Sequence, residues 1–385
     1  MKPLTIDFLI RSLERGGAER QIVLLADGLS RRGHDVRIVT FYPGGPFEAE
    51  ARARGLNIYS LDKRGRWDVV AFVYRLYRSH TRRDPDVIHG YMGVPNILLG
   101  LLKPLLRKPI VWGIRASYMN LSHYDSLSRA AVVLEASLAR SADLIIANSY
   151  AGMRYAVSKG FDVGRIRVVD NGIECDHWRR DARAGARFRE THGIPAHAPL
   201  VGLVGRLDPM KGHDVFFRAM AKLRELREDV QIAVIGSGAV AFDRSLHELG
   251  SAILGDDSIR WIPEQADLVP VYSSLDVLVS ASSGEGFPNV VAEALACDAR
   301  VVVTDVGDSA RLVGEDGRVV PAGDAEAMSK AIEVALQPRP SGPPYPHERI
   351  RAQFGVDVMV DRTEALLLTL VGSARASGES VRAAP

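Results

Sequence analysis

The chain has 385 residues, 25% charged, 46% hydrophobic and 7% aromatic, a composition that excludes wholesale disorder and collagen-like repetition and leaves room for two or three domains with cores of their own. A formal net charge of +2, from 49 Lys+Arg against 47 Asp+Glu, lacks the basic excess of a dedicated nucleic-acid binder. The total is a sum of unlike parts: residues 1–175 hold 26 Lys+Arg and 17 Asp+Glu, a balance of +9, and the remainder holds 23 and 30, a balance of −7, which predicts two domains with different partners.

The chain passes directly into the strand-like run Thr5–Ile10, so no cleavable signal sequence is expected. Further short β-branched runs follow at Val36–Thr40, Asn57–Leu61, Val87–His89, Ile110–Ile114, Leu144–Ala147 and Ile166–Val169. Between them lie amphipathic stretches such as Glu19–Arg32, Val69–His80, Ser128–Arg140 and Tyr150–Lys159. This alternation predicts a parallel sheet with helices on both faces. The apolar stretch from Val94 to Ile114 is interrupted by Lys103, Pro104, Arg107 and Lys108, so no segment is expected to span a bilayer. The rhythm stops after Asn171-Gly172.

A second series begins at Leu200–Val204 and continues through Gln231–Ile235, Ile259–Ile262, Val277–Ser280, Val301–Thr304 and Arg318–Val320, with helices at His213–Leu226, Asn289–Cys297 and Ala325–Leu336. The expected organisation is a first Rossmann-like domain over 1–175, a linker or helical insertion over 176–198 and a second Rossmann-like domain over 199–345. C-terminal helices over 346–372, packing back on the first domain, and a disordered tail over 373–385 complete it. Two cysteines, Cys175 and Cys297, are too few for a disulfide framework and point to a reduced, cytoplasmic setting.

Three loops carry chemistry. The first is Ser283 to Glu293, SGEGFPNVVAE, which follows a strand and opens a helix. Glu285 and Glu293 stand eight apart, so both can approach one ligand at the helix start. Gly286 and the backbone of Phe287 and Asn289 would supply donors there, and carboxylates accept from sugar hydroxyls. Exposed carboxylates assisting the helix dipole would explain the glutamates but not the glycines around them. The second loop, Gly205 to Gly212, GRLDPMKG, puts Arg206 and Lys211 at a strand's carboxyl end, where open α/β sheets bind ligands. Two cations suit a diphosphate; read alone, such a basic loop is more often a solvated surface. The third is Gly16-Gly17-Ala18-Glu19-Arg20 after the first strand, where paired glycines allow close backbone approach or merely a tight turn. Gly236-Ser237-Gly238 lacks the third glycine and the acid of a dinucleotide fingerprint, which ranks a dehydrogenase last.

Taken together, GGAER at 16–20, His89-Gly90, Asn171-Gly172-Ile173, GRLDPMKG, GSG at 236–238 and Glu285–Glu293 resemble the family-four retaining glycosyltransferases of the GT-B fold. The resemblance covers nearly the whole chain. It implies two doubly wound Rossmann-like domains facing a cleft, with a C-terminal helix crossing back to the first domain, and a nucleotide sugar as donor. By this resemblance Arg206 and Lys211 bind the diphosphate, Glu293 takes the ribose, and Glu285 with Gly286, Phe287 and Asn289 holds the donor sugar. Gly16 and Gly17 close on the diphosphate, and Arg206, Lys211 and Glu285 form the catalytic set. The resemblance also implies metal-independent transfer with no cofactor beyond the nucleotide-diphosphate sugar, in keeping with the lack of a compact Asp-x-Asp or His/Cys cluster in the sequence. One departure is Arg115, which stands after the fifth strand where many relatives place a histidine; His89 is the other acceptor-side candidate, and equally a strand-end residue.

On the acceptor side, basic residues crowd Lys63–Arg83, with Arg75, Arg78 and Arg82 spaced to share a helix face and Trp67, Phe72, Tyr74 and Tyr77 interleaved. Lys103–Lys108 flank a second apolar run. The expectation is a UDP-sugar-dependent enzyme transferring to a lipid-linked or polysaccharide acceptor in cell-surface glycan synthesis (exopolysaccharide, capsule or lipopolysaccharide), peripheral on an anionic membrane and without nucleic acid as partner. The alternatives are transfer to a soluble small molecule, or a non-catalytic nucleotide-sugar-binding subunit.

Overall fold

The computed structural model describes residues 2–65, 67–115, 126–338 and 346–382. Arg66 of the basic segment, most of the proline-rich stretch before Pro346 and the last three residues of the expected tail lie outside them. The chain divides into two compact units, one comprising residues up to Gly172 together with those from Val356 onward, the other Ile173–Gly355.

In the first unit the strands are β1 (Thr5–Ile10), β2 (Asp35–Thr40), β3 (Asn57–Ser60), β4 (Val87–Tyr91), β5 (Ile110–Ile114), β6 (Leu144–Ala147) and β7 (Ile166–Val168). They form one parallel sheet in the order β3-β2-β1-β4-β5-β6-β7. Its helices are α1 (Gly17–Arg31), α2 (Pro46–Ala53), α3 (Val69–Arg83), α4 (Gly93–Leu106), α5 (Ser126–Leu138), α6 (Tyr150–Ser158) and the C-terminal α15 (Val356–Arg382).

Both faces of this sheet are covered, which is why its strands read as almost unbroken apolar runs. Alternate residues of β1 serve the two faces. Ile6, Phe8 and Ile10 pack with Ile22, Leu25 and Leu29 of α1 and with Val360 and Leu367 of α15. Leu9 joins Phe72, Leu76, Leu99, Leu102 and Trp112 on the other face, under α3 and α4. Asp7 points to that second face and is fully buried there. Its carboxylate accepts from Arg37 Nε at 3.0 Å, lies 2.7 Å from His80 Nδ1 and pairs with Arg83 Nε at 3.1 Å. Burial alone would raise its pKa, but the hydrogen bonds from His80 and Arg37 and their charges hold it below the ordinary value.

α15 reaches α1 because residue 28 is glycine: a Cβ there would stand 2.4 Å from Val360 Cγ2. Glu364 of α15 fixes the contact, accepting from Arg32 at 2.5 Å and lying 2.8 Å from His34 Nε2.

In the second unit the strands are β8 (Leu200–Val204), β9 (Gln231–Ile235), β10 (Ile259–Ile262), β11 (Val277–Ser280), β12 (Arg300–Thr304) and β13 (Gly317–Val320), parallel throughout in the order β10-β9-β8-β11-β12-β13. The helices are α7 (Ala182–Thr191), α8 (His213–Leu226), α9 (Val240–Leu254), α10 (Val269–Ser274), α11 (Asn289–Ala296), α12 (Ser309–Val313), α13 (Ala325–Leu336) and α14 (Pro346–Phe354).

Residues 176–198 carry α7, which Asp181 caps, and Arg189 of α7 donates to the carbonyl of Ser274 and pairs with Asp276 at 2.7 Å, fastening the segment to the end of α10 and the start of β11. Two expectations about the C-terminal segments need correction. α14 does not return to the first unit with α15; Phe354 and Ile350 bury into the second unit's core with Phe287 and Leu312. The expected tail is helical, with α15 running through Arg382. No helix among the described residues is long and apolar enough to cross a membrane.

Candidate functional site

The strand order of the second unit reverses between β8 and β11, and ligands of open α/β sheets bind at such switch points, beyond the carboxyl ends of the strands. The two chemically loaded loops of this unit leave from those two strands. After β8, Asp208 accepts from the Met210 amide at 2.9 Å and caps a single 3₁₀ turn, Pro209–Lys211. Gly212 ends the turn with φ +66°, and a Cβ on it would fall 2.0 Å from the carbonyl oxygen of Ala281. Only glycine satisfies both conditions, so the β8 loop lies directly on the β11 loop. The Ser283 amide completes the junction by donating to the Met210 carbonyl at 2.8 Å. The loop also rests on the Gly-Ser-Gly segment after β9, through a Leu207 amide donating to the Ser237 carbonyl at 3.0 Å.

This junction brings Lys211 and Glu285 together. Lys211 Nζ lies 2.6 Å from Glu285 Oε1, and the Ser282 hydroxyl donates to the same oxygen at 2.7 Å. The pair is mostly shielded, with side-chain exposures of 24% and 12%. A lysine ammonium has three donors, so one can remain on Glu285 while the others meet an anion. Arg206 stands apart from this order. Its side chain is 73% exposed and makes one long contact to Asp208 at 3.4 Å, so it can swing onto a ligand at little cost. The Gly286 carbonyl accepts from the Asp308 amide at 3.0 Å, which ties the loop to the one after β12.

Asn289 opens α11, and Phe287 is buried with its ring 5.6 Å from that of Phe354, which fixes the approach of the loop to the helix. Glu293, one turn in, is only 3% exposed and accepts from the Tyr272 hydroxyl at 2.9 Å. The two glutamates therefore differ in setting: Glu285 sits in the loop with a cation, Glu293 beneath the surface with a phenol. Tyr272 and Asp308 escape a reading of sequence alone, since each acts across a distance in the chain that no local spacing encodes; Ser282 acts locally, three residues before Glu285, and stands one position ahead of the loop read from the sequence. His213 also escapes it. It starts α8, is buried with both ring nitrogens unpartnered, and is lowered to about 4 by burial and by the Lys211 charge, so it is neutral near pH 7.

The first unit has its own switch point, between β1 and β4. Gly16 and Gly17 lie there, exposed, at the start of α1. Glu19 folds back so closely that a Cβ on Gly16 would stand 2.1 Å from its Oε2, and burial raises the Glu19 pKa. His89 on β4 is fully buried between Phe8 and Tyr91, at ring distances of 5.3 and 4.9 Å, with neither ring nitrogen partnered. Burial first, and the Arg115 charge second, push it well below the ordinary histidine value. Arg115 stacks over Tyr91 at 4.2 Å and donates to its hydroxyl at 2.6 Å. His89 and Arg115 are thus joined through Tyr91, with the imidazole neutral. Nearby, Asn96 Nδ2 donates to Glu135 at 3.0 Å, and burial raises that carboxyl. Among the described residues no group of three or more His, Cys, Asp or Glu side chains is placed to hold a metal ion.

Two family models match the chain, Glycosyltransferase Family 4 over residues 15–177 and Glycosyl transferases group 1 over residues 198–337. Among curated proteins, the D-inositol 3-phosphate glycosyltransferase of Saccharomonospora viridis is 30% identical over 323 residues, which span 78% of this chain and 72% of that protein. Among solved structures, Anabaena Alr3699/HepE in complex with UDP-glucose superposes with a TM-score of 0.82 at 19% identity, covering 95% of this chain and all of the other. The sucrose-phosphate synthase of Thermosynechococcus elongatus superposes with a TM-score of 0.79 at 19% identity, covering 96% of this chain and all of the other. With two parallel-sheet units and these relatives, the chain is a glycosyltransferase of the GT-B fold and belongs to family four, the group 1 glycosyl transferases.

Proposed function

We propose that the enzyme transfers a sugar from a nucleoside diphosphate sugar, uridine-linked in first preference, to a hydroxyl of a small soluble phosphorylated polyol, with retention at the anomeric carbon and without a metal or other cofactor. The observation that carries the donor half is the Lys211–Glu285 pair at the β8/β11 switch point: a cation for the diphosphate and a carboxylate for sugar hydroxyls, 2.6 Å apart on interlocked loops. The UDP-glucose bound by the Anabaena protein supports the choice of nucleotide. The acceptor half is supported by the curated relative, whose name gives an inositol phosphate as acceptor.

In the reaction we infer, the bond between the anomeric carbon and the diphosphate oxygen breaks with its electron pair passing to the diphosphate. Arg206, Lys211 and amides at the start of α11 offset the charge that develops, Glu285 orients the sugar, and Glu293 holds the ribose. The acceptor oxygen attacks from the face the diphosphate leaves, and its proton passes to the departing phosphate oxygen. Arg115, whose guanidinium offers donors and no acceptor, serves as an anchor for an anionic acceptor and not as a base.

A second reading, transfer to a lipid-linked acceptor in cell-surface glycan synthesis at the inner face of the membrane, is favoured by one observation: the outer helical layer of the first unit exposes apolar side chains beside arginines. A thermal-shift panel of UDP-, GDP- and ADP-sugars on the wild type and on Lys211→Ala tests the donor. A sugar nucleotide that stabilises the former and not the latter names it; no shift with any of them overturns the proposal. Product NMR with an inositol phosphate acceptor tests the rest, an inverted anomer excluding retention and an unreacted acceptor excluding the soluble polyol.

A further inference from the structure

Helices α3, α4 and α5 cover one face of the first unit's sheet, with α4 packed between the other two. An outer helix of a globular protein normally turns charged and polar residues to solvent. α4 does not. It buries Asn96, Leu99, Leu102 and Leu106, and its opposite side carries Val94, Leu101 and Leu105, while Leu98 is half-buried against the core. Leu101 and Leu105 are exposed by 55% and 61%. The only charged residue within α4, Lys103, is pinned to Asp143. On α5, Val133 is exposed as well.

α3 adds an aromatic edge. Trp67, just before its first turn, is 91% exposed, Val70 84% and Tyr74 61%. Val70, Tyr74, Arg78 and Arg82, at intervals of four, share the exposed side of the helix, and Trp67 stands ahead of its N-terminus. Arg75, expected on one face with Arg78 and Arg82, turns its side chain to Asp68, with its Nε donating to the Leu61 carbonyl at 2.8 Å. Tyr77 packs inward against the core. Lys63 is also withdrawn, lying 5.7 Å from the ring of Tyr42. Arg78, Arg82 and Arg107, at the end of α4, have no acidic partner among the described residues and point no charge into the fold.

An apolar line bordered by an exposed tryptophan and tyrosine and rimmed by one sign of charge has the chemistry of a lipid interface. Trp and Tyr settle at headgroup level, aliphatic side chains enter the acyl boundary, and arginines meet anionic headgroups. The rim argues against a second copy on the same face, because a two-fold interface would set arginines against arginines.

We propose that the α3–α4–α5 layer of the first unit docks on an anionic lipid bilayer, with Trp67, Val70, Tyr74, Leu101 and Leu105 entering the interface and Arg78, Arg82 and Arg107 contacting headgroups. The docking holds whichever acceptor the enzyme uses.

The test is sedimentation of the full-length enzyme with vesicles of phosphatidylcholine, alone or mixed with phosphatidylglycerol, at low and high salt. The wild type binds the mixed vesicles at low salt and releases as salt rises. Arg78→Gln with Arg82→Gln weakens that binding about 25-fold, from about fivefold for each arginine near an anionic surface. Trp67→Ala with Val70→Ser weakens it about tenfold or more at low salt, through lost apolar insertion. Circular dichroism and the UDP-glucose thermal shift stay at wild-type values in all of these variants, which separates loss of docking from loss of fold or donor binding. No sedimentation with anionic vesicles at low salt overturns the proposal, as does binding that these substitutions leave unchanged. A solution dimer that Leu101→Ser with Leu105→Ser converts to monomer would assign the face to a second copy and overturn it equally.

Discussion

The Lys211–Glu285 pair invites a substitution at each end, because its two members have separable duties. Lys211→Ala removes one charge-assisted contact to a bound diphosphate, about 1.5–3 kcal/mol, which is about 10- to 150-fold in nucleotide affinity. The structure puts the effect toward the upper end, because Glu285 remains only 12% exposed and loses its cation. An uncompensated carboxylate then faces the incoming phosphates. Glu285→Gln has the opposite sign for the nucleotide. It keeps the side chain's shape and an acceptor for the Ser282 hydroxyl, which donates at 2.7 Å. It also releases Lys211, so UDP binding is unchanged or tighter. Transfer, however, loses a placed group at the sugar, and kcat falls about 10²- to 10³-fold.

Calorimetry of UDP and of UDP-glucose on both variants and on the double variant, beside initial rates, measures all of this. Two results would refute the reasoning. One is wild-type UDP affinity in Lys211→Ala. The other is recovery of UDP affinity in the double variant, which would reduce Lys211 to a counter-ion for Glu285.

Three further outcomes follow from the packing. Tyr272→Phe removes the donor to the buried Glu293, at 2.9 Å, and should cost about 1.5–3 kcal/mol; a thermal melt of the second unit that stays within a degree of wild type would show the hydroxyl to be idle. Asp7→Asn leaves Arg37 and Arg83 without their shared carboxylate in a buried setting and should cost about 3–5 kcal/mol. Because the Asp7 pKa is depressed in the fold, its contribution is complete above the ordinary carboxylate range near pH 4 and is lost as pH falls through the folded value. Urea midpoints should therefore drop more steeply below pH 4 in the wild type than in Asp7→Asn. Gly28→Ala puts a methyl 2.4 Å from Val360 Cγ2. The overpacking of about 1–3 kcal/mol should exceed the helix-propensity gain of about 1 kcal/mol, and Val360→Ala in the same chain should restore the wild-type midpoint.

The strands were legible because burial on both faces makes them short, apolar and β-branched: β5, β6, β8, β9, β10 and β11 lie where the sequence predicts them. α4 was not, for a physical reason. Its solvent side is as apolar as its core side, so it has no 3.6-residue alternation to detect, and the property that hid the helix marks it as a docking face. α12 has five residues, too few for any period. In the site, the motif residues of each loop could be read locally, since a glycine-flanked turn at a strand's carboxyl end is a local object. Their pairing could not. Lys211 and Glu285 are 74 positions apart and Tyr272 and Glu293 are 21 apart; only the order of strands in the sheet brings them together. Arg75 shows the converse, with helical spacing placing it on a face from which the neighbouring Asp68 removes it.

The charge division survives the structural boundary. Assigning α15 to the first unit, as its packing requires, leaves that unit with 29 Lys+Arg against 20 Asp+Glu and the second with 20 against 27, still +9 and −7. In the second unit, long-range electrostatics oppose an anionic nucleotide, and a field of that sign cannot hold it. Binding there has to come from short-range groups that outweigh the field only in register: Arg206, exposed, and Lys211, clipped to Glu285 until phosphates compete for it. In the first unit the field has the opposite sign, and many of its cations are consumed internally, Arg37 and Arg83 on Asp7 and Arg75 on Asp68. The arginines left over sit on the outside of α3 and at the end of α4, beside the apolar line. Salt should therefore separate the two activities, weakening attachment to an anionic surface through the screened positive field while leaving nucleotide binding to the close contacts at the β8/β11 junction.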